Sequence, residues 1–439
     1  MTFRSLLLGI AFTLAIPAAA QAITVKTVPS PTGVETWLSE EHALPMIAVN
    51  VALPAGSAYD PADKPGLASL MASLLDEGAG DLNSQAFKQA LEARAIRLTA
   101  QADRDYLVVT LTTLSENANE AFRLLALAIS RPRFDSEAVE RMRGSKLADI
   151  KEQEQRPARV ASNAWMAAYL GAHPYAHPEA GTAAAVEAIT IADIKGFAAD
   201  HMVRDRVKVT VAGDITEAQL RRNLQQLVGA LPAKAVPAVA KSAAAGKPGS
   251  RTIARDEAAP VAMFGLPGPM RLDRDFIPAF VTNYIFGGGG FSARLMNEVR
   301  DKRGLTYGIS TQLVDFRSAA IIMGTVQSEK SKIETALDVT RSEMARFAKE
   351  GATAKELEDA KTYLTGSFPL GLDSNAKIAR TLNQFQRQGL SADYVETRNS
   401  LIEGVTLAKV NEMARKYYDP ARLVLVIAGT PAPAAPSLR

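Results

Sequence analysis

Two hydrophobic periods divide this chain. Ile47 to Leu53 and Val261 to Gly265 are short apolar runs, rich in β-branched residues, that predict strands. Arg97 to Ala102 and Leu107 to Thr112 are separated by polar residues and predict an antiparallel hairpin. Apolar residues recur at helical spacing over Gly66 to Glu77, Asn83 to Arg94, Glu116 to Ile129 and Ser136 to Gln155. The same spacing returns over Ser292 to Lys302, Lys330 to Lys349 and Ala354 to Ser367. Strands and helices mixed with hairpins predict an α+β fold, with an antiparallel-rich sheet covered by helices on one face.

The pattern occurs twice. Glu187-Ala-Ile-Thr-Ile-Ala-Asp-Ile, running on to Arg206-Val-Lys-Val-Thr-Val-Ala-Gly213, matches Glu403-Gly-Val-Thr-Leu-Ala-Lys-Val and its run to Gly429 at a constant offset of 216. In each copy a threonine, Thr190 or Thr406, precedes apolar residues at helical spacing and can cap a helix. The runs Val207 to Val211 and Leu423 to Ile427 then predict strands ending in Ala-Gly. One helix-then-strand unit present twice implies two homologous α/β-roll halves. Between them, Pro232 to Gly249 is rich in Ala, Pro, Lys and Gly, lacks aromatic residues and has no period, as expected of a linker. The predicted division is a signal peptide at 1–22, a first half at 23–232, a linker at 233–251 and a second half at 252–432.

The signal peptide rests on Arg4, the apolar stretch Leu6 to Ile16 and the small-x-small triplet Ala20-Gln21-Ala22. It predicts export to the periplasm, with a mature chain starting near Ile23 and no membrane insertion after cleavage. There is no cysteine, so an exported chain must rely on its core. A hydrophobic fraction of 47% and a charged fraction of 22% are ordinary for a globular protein. Removing Arg4 takes the formal charge from +3 to +2, with no clustered basic run, which gives nucleic acid no support as a partner.

Candidate chemistry lies in two stretches. In the helix opened by Pro65, Leu67, Leu70, Met71, Leu74 and Leu75 fall on one stripe, and Ser69, Ala72 and Ser73 on the opposite face. A nucleophilic serine there would need a nearby base, and neither serine begins a Ser-x-x-Lys signature. The chain has four histidines. His173 and His177 each precede a proline, which disfavours the helical stacking a metal pair needs, and His42 and His201 stand alone. The second stretch runs from Phe286 through Gly287, Gly288, Gly289 and Gly290 to Ser310. The four glycines predict a loop whose backbone can approach a ligand, and no Gly-Lys-Ser/Thr follows to make it a phosphate loop. A helix over Ser292 to Lys302, capped by Gly304, and a strand from about Thr306 would bring Arg300 and Tyr307 to one place.

Gly66-Leu-Ala-Ser-Leu-Met-Ala-Ser-Leu-Leu75, after Pro54-Ala-Gly-Ser57 and Lys64-Pro65, resembles the helix on which active peptidases of the M16 family carry His-x-x-Glu-His. Register sets Ser69, Ala72 and Ser73 at those three positions, and none can bind zinc or act as a base. The family's third ligand comes from a later helix, where Asp149 and Glu152 read as a solvated face. The segment from Phe286 to Ser310 resembles the M16 segment that sends an arginine and a tyrosine to the substrate, with the family's seven-residue spacing between Arg300 and Tyr307. The guanidinium suits peptide carbonyls and the phenol suits an oxyanion. Arg294 reads as structural, and Lys302 and Arg303 as solvent-facing.

The resemblance covers nearly the whole mature chain and implies two halves forming a clamshell. It further implies a non-catalytic, metal-free, substrate-binding subunit that pairs with a zinc-bearing M16 subunit and binds unfolded peptides. The alternative is a peptide-binding or scaffold protein of the same fold with no proteolytic role.

Overall fold

The computed structural model describes residues 23–30, 32–242 and 246–432; the expected signal peptide at 1–22 lies outside them. In the first half the strands are β1 (Lys26–Val28), β2 (Thr36–Glu40), β3 (Met46–Leu53), β4 (Gly78–Ala79), β5 (Leu82–Asn83), β6 (Arg97–Ala102), β7 (Leu107–Leu114) and β8 (Lys208–Gly213). In the second they are β9 (Gly249–Ile253), β10 (Val261–Pro267), β11 (Gly308–Asp315), β12 (Ala320–Gln327) and β13 (Val424–Ala428). β4 and β5 form a small hairpin, and the two main sheets have the orders β1-β2-β8-β3-β7-β6 and β11-β12-β10-β13-β9. No helix of the described residues is long and apolar enough to cross a membrane.

With β1 set aside, the sheets are copies. β2-β8-β3-β7-β6 corresponds to β9-β13-β10-β12-β11, and the one parallel pair of each sheet, β2 with β8 and β9 with β13, falls at the same place. The repeated segment explains why. Thr190 accepts from Asp193 N to cap the helix Ile191–His201, and Thr406 accepts from Lys409 N to cap Leu407–Tyr417. Each helix leads into the corresponding strand, β8 or β13. Both strands run into glycines at positive φ, 129° at Gly213 and 116° at Gly429, where an L side chain is strained. A Cβ on Gly213 would also lie 2.1 Å from Met46 O.

The main core of each half forms between its sheet and its own helices. Leu38, Ile47, Val49 and Val51 face inward in the first half, and Phe264, Leu266, Leu425 and Ile427 in the second. The expectation of helices on one face is incomplete, because each sheet's other face is covered by a helix of the opposite half. Trp37, Ala48 and Ala212 pack under Ile378, Leu382 and Phe385 of the helix Asn375–Arg387. Reciprocally, Val261, Met263, Val424 and Val426 pack under Ala161, Trp165 and Met166 of the helix Pro157–Leu170. Hydrogen bonds fix both crossings, with Thr210 Oγ1 donating to Ala379 O at 2.9 Å and Trp165 Nε1 donating to Val424 O at 3.0 Å.

The linker also differs from expectation. Its last residues belong to β9, which pairs in parallel with β13. Upstream, Val236 N donates to Asp205 Oδ2 at 2.9 Å and Ser242 N donates to Ser318 O at 2.6 Å. A segment poor in large apolar side chains cannot nucleate a core, yet its backbone can still satisfy itself against an open strand edge.

Candidate functional site

The first candidate is the helix after Pro65, which is shorter than its periodicity predicts. It spans Leu67–Ala72 and then tightens, with Leu74 N bonded to Met71 O at 3.0 Å and Leu75 N to Ala72 O at 3.4 Å. Its start is held by the Asp60 carboxylate, which accepts from Gly66 N at 2.7 Å and Ala68 N at 2.8 Å. The expected polar face is only partly present. Ala72 is buried at 4% exposure, because this short helix is packed nearly all round, whereas Ser69 and Ser73 are half-buried.

Neither serine is arranged for a metal. Ser73 Oγ donates to Leu70 O at 2.7 Å, and Ser69 Oγ accepts from Lys146 Nζ at 3.1 Å. Burial pushes the Lys146 ammonium pKa down, partly countered by Asp149. Asp149 and Glu152 are exposed, and Glu152 pairs with Arg156. Two neutral hydroxyls, a buried methyl group and an ammonium do not fit zinc, since the ammonium repels a divalent cation and neither hydroxyl supplies a deprotonated ligand. The histidines are engaged elsewhere. His173 Nδ1 accepts from Tyr175 N at 3.2 Å, leaving Nε2–H for Ala240 O at 2.8 Å. His42 pairs with Asp214 at 2.7 Å, and His201 packs against the rings of Tyr59 and Phe197. Among the described residues no group of three or more His, Cys, Asp or Glu gathers to hold a metal. The expected outcome is that the chain, incubated with excess zinc and desalted, retains well below one equivalent by atomic absorption.

The second candidate is built by the glycine segment. The backbone makes two wide turns, Tyr284–Gly288 in the glycine segment and Met296–Asp301 where a regular helix over 292–302 is predicted, the second closed by Lys302 N on Asn297 O at 3.0 Å. Such widened turns are common at functional sites. Gly287 and Gly289 sit where a side chain would not fit. A Cβ on Gly287 would lie 2.4 Å from Thr311 Oγ1 on β11, and one on Gly289 would lie 2.9 Å from Tyr284 O. Asn283 locks this contact, donating through Nδ2 to Thr311 O at 3.2 Å and accepting from Thr311 Oγ1 at 2.8 Å. Gly287 to Gly290 do not line the cleft that follows.

Arg300 and Tyr307 line one cleft of about 1020 Å³, with Met296, Leu305 and Ile309 as apolar wall. Gly304, at φ 60°, turns the chain between them, its N–H bonded to Arg300 O at 2.8 Å. Thr306 Oγ1 donates to Gln327 O at 2.5 Å and accepts from Gly308 N at 3.0 Å, which fixes the Tyr307 backbone. The Tyr307 side chain is free of packing, at 91% exposure. Arg300 pairs with Asp301 at 3.0 Å and lies 4.9 Å from the centroid of the exposed Phe291 ring. Nearby, Arg294 is structural, forked onto Glu356 at 2.6 and 2.7 Å and stacked on Phe347.

Lys302 and Arg303 are exposed but not idle. With Arg346 they surround Glu298, at 2.7, 2.8 and 2.9 Å. Burial alone would raise the Glu298 pKa, but the three cations outweigh it and hold the carboxyl at about 2. A depressed acid stabilises the fold above its unfolded pKa of roughly 4.3, and that contribution is lost as pH falls toward the folded value. The melting-temperature deficit of Glu298→Gln is therefore expected to be constant from pH 5 to 8 and to shrink only below about pH 4.5, measured by scanning calorimetry.

Residues 37–183 match the family model described as insulinase (peptidase family M16), and residues 188–364 match the one described as the peptidase M16 inactive domain. The crystal structure of a peptidase M16 inactive domain from Pseudomonas fluorescens is 30% identical, with a TM-score of 0.89 over 94% of this chain and 100% of that one. The chain belongs to the peptidase M16 family. Within the family it has the fold of the inactive type. A Helicobacter pylori protein described as the non-peptidase homolog YmxG is 26% identical over 389 residues, 88% of this chain and 90% of that one. A protease structure from Helicobacter pylori, 16% identical, shares the fold at a TM-score of 0.85 over 92% and 99% of the two chains.

Two residues of this M16 chain escaped the sequence reading. Lys146 had a signal, since Val139, Arg143, Lys146 and Ile150 fall at helical spacing, and Val139, Arg143 and Ile150 are buried. Phe291 had none, because an aromatic beside four glycines does not announce a cation above it.

Proposed function

We propose that this chain is the non-catalytic, substrate-binding subunit of a periplasmic heteromeric M16 zinc peptidase, holding no cofactor itself and pairing with a zinc-bearing M16 subunit. The observation that carries the reading is the contrast between its two sites. The helix at Ser69 cannot hold zinc, yet Arg300 and Tyr307 are presented on one open cleft. Tyr307 is 91% exposed and has no packing role, so its O–H is free for a ligand in the cleft. The guanidinium of Arg300 supplies charged donors for substrate carbonyls, and the Tyr307 O–H supplies a donor for an oxyanion developed in the partner's site.

Unfolded peptide adds as a strand. β6 is an edge, pairing among the described residues only with β7. Main-chain hydrogen bonds to such an edge give affinity with little sequence preference. The test is a quenched-peptide assay of the mature chain alone, of a His-x-x-Glu-His partner alone and of the two together. The reading expects turnover from the mixture that exceeds the partner's own. Turnover by this chain alone with one bound zinc would overturn it.

A further inference from the structure

Beside Ser69 lies a second cleft, of about 580 Å³, with walls from both halves. Ser69 and Lys146 stand on one side, Gln101 and Ala102 at the end of β6 on another, and Phe316 and Met323 of the second half close it with apolar surface. Its charges are uneven. Glu179 is already paired with Arg104 Nε at 3.2 Å, and Glu154 lies on the wall with Arg159, which is exposed. Lys146 is half-buried, and its ammonium donates to a neutral hydroxyl, Ser69 Oγ, at 3.1 Å. One neutral acceptor does not replace the water such an ion gives up, which is why burial moves its pKa down despite Asp149. An ammonium so placed gains more from an arriving anion than a solvated surface lysine does.

The neighbouring strand says what kind of anion. β6 ends at Ala102, its outer edge is unpaired among the described residues, and both Gln101 and Ala102 open onto this cleft. An extended chain laid parallel to β6 would bring its C-terminal end to the cleft that Lys146 and Ser69 line.

We propose that this cleft is a receptor for the free C-terminal carboxylate of an extended peptide, taken by the Lys146 ammonium and the Ser69 hydroxyl while the preceding residues add as a strand to β6. The proposal rests on the peptide-binding reading above and deepens it. Where an active relative would set a metal cation, this chain sets an organic one, and the ligand it selects is an anion. Phe316 and Met323 favour an apolar last side chain.

The test compares two N-terminally fluorescein-labelled peptides of one sequence ending in leucine, one a free acid and one a C-terminal amide, by fluorescence anisotropy with the mature chain. The acid is expected to bind on the order of tenfold or more tighter, the size of one charge-assisted hydrogen bond. Lys146→Met is expected to abolish the difference and Lys146→Arg to keep most of it. Equal affinity of acid and amide for the unsubstituted chain, or a difference that survives in Lys146→Met, overturns the carboxylate receptor. If the reconstituted pair still cleaves the same peptide with equal affinity for both forms, the receptor falls and the subunit reading stands. If neither peptide binds and the pair is inactive, both fall.

Discussion

In the reconstituted pair, Tyr307→Phe and Arg300→Ala should each lower peptide turnover by on the order of a hundredfold, the usual cost of removing one oxyanion or carbonyl donor. Neither should disturb the fold. Tyr307 is 91% exposed, so the phenylalanine removes an O–H and nothing else. Arg300 makes one exposed ion pair with Asp301 and lies over one exposed ring, contacts together worth little stability. Surface changes of this kind usually stay within about 0.5 kcal/mol. A melting temperature unchanged within error, with turnover reduced, therefore isolates chemistry from folding. If both variants form the complex and turn over peptide at the unsubstituted rate, the scaffold alternative is the better account. Phe291→Ala gives a graded control, since it removes the ring from beneath the guanidinium and leaves both donors.

What was legible in the chain was local. The Thr190 and Thr406 caps, the β-branched runs of β8 and β13 and the Ala-Gly endings are each specified within a few residues, and they lead to matching places in two sheets. That Ser69, Ala72 and Ser73 offer neither an imidazole nor a carboxylate is also read directly from the chain and holds in any fold. What was not legible depends on distant partners. Ser69 and Lys146 meet across 77 positions, and no period in either helix encodes the other. The helix Pro157–Leu170, which the sequence analysis does not predict, buries its apolar side chains on the other half's sheet, a destination no local period encodes. Glycine misleads for a related reason. Backbone freedom at Gly287 can serve a ligand or a strand, and only the position of Thr311 shows that it serves the strand.

Trp165→Ala should cost about 3–5 kcal/mol, the range for deleting a large buried aromatic, and should do so by uncoupling the halves. Trp165 is fully buried, stacked on Tyr169 at 4.7 Å between ring centroids. β10 has been shaped to receive it, since a Cβ on Gly265 would lie 2.3 Å from the indole ring. The substitution also removes the N–H that satisfies Val424 O on β13, which leaves a buried acceptor without that partner. Trp165→Phe keeps most of the ring and loses the hydrogen bond, so its cost should be smaller and closer to that of the bond alone. The chain has two tryptophans, and the other, Trp37, lies at the reciprocal crossing under the helix Asn375–Arg387. In a Trp37→Phe background the remaining indole therefore reports on the Pro157–Leu170 crossing alone, and denaturant unfolding followed by its fluorescence can be compared with circular dichroism of the whole chain. Coincident transitions would show that the exchanged helices make the halves one cooperative unit. A loss below about 1 kcal/mol for Trp165→Ala would mean that the crossing contributes little to stability, and that the halves are held together by the rest of their interface.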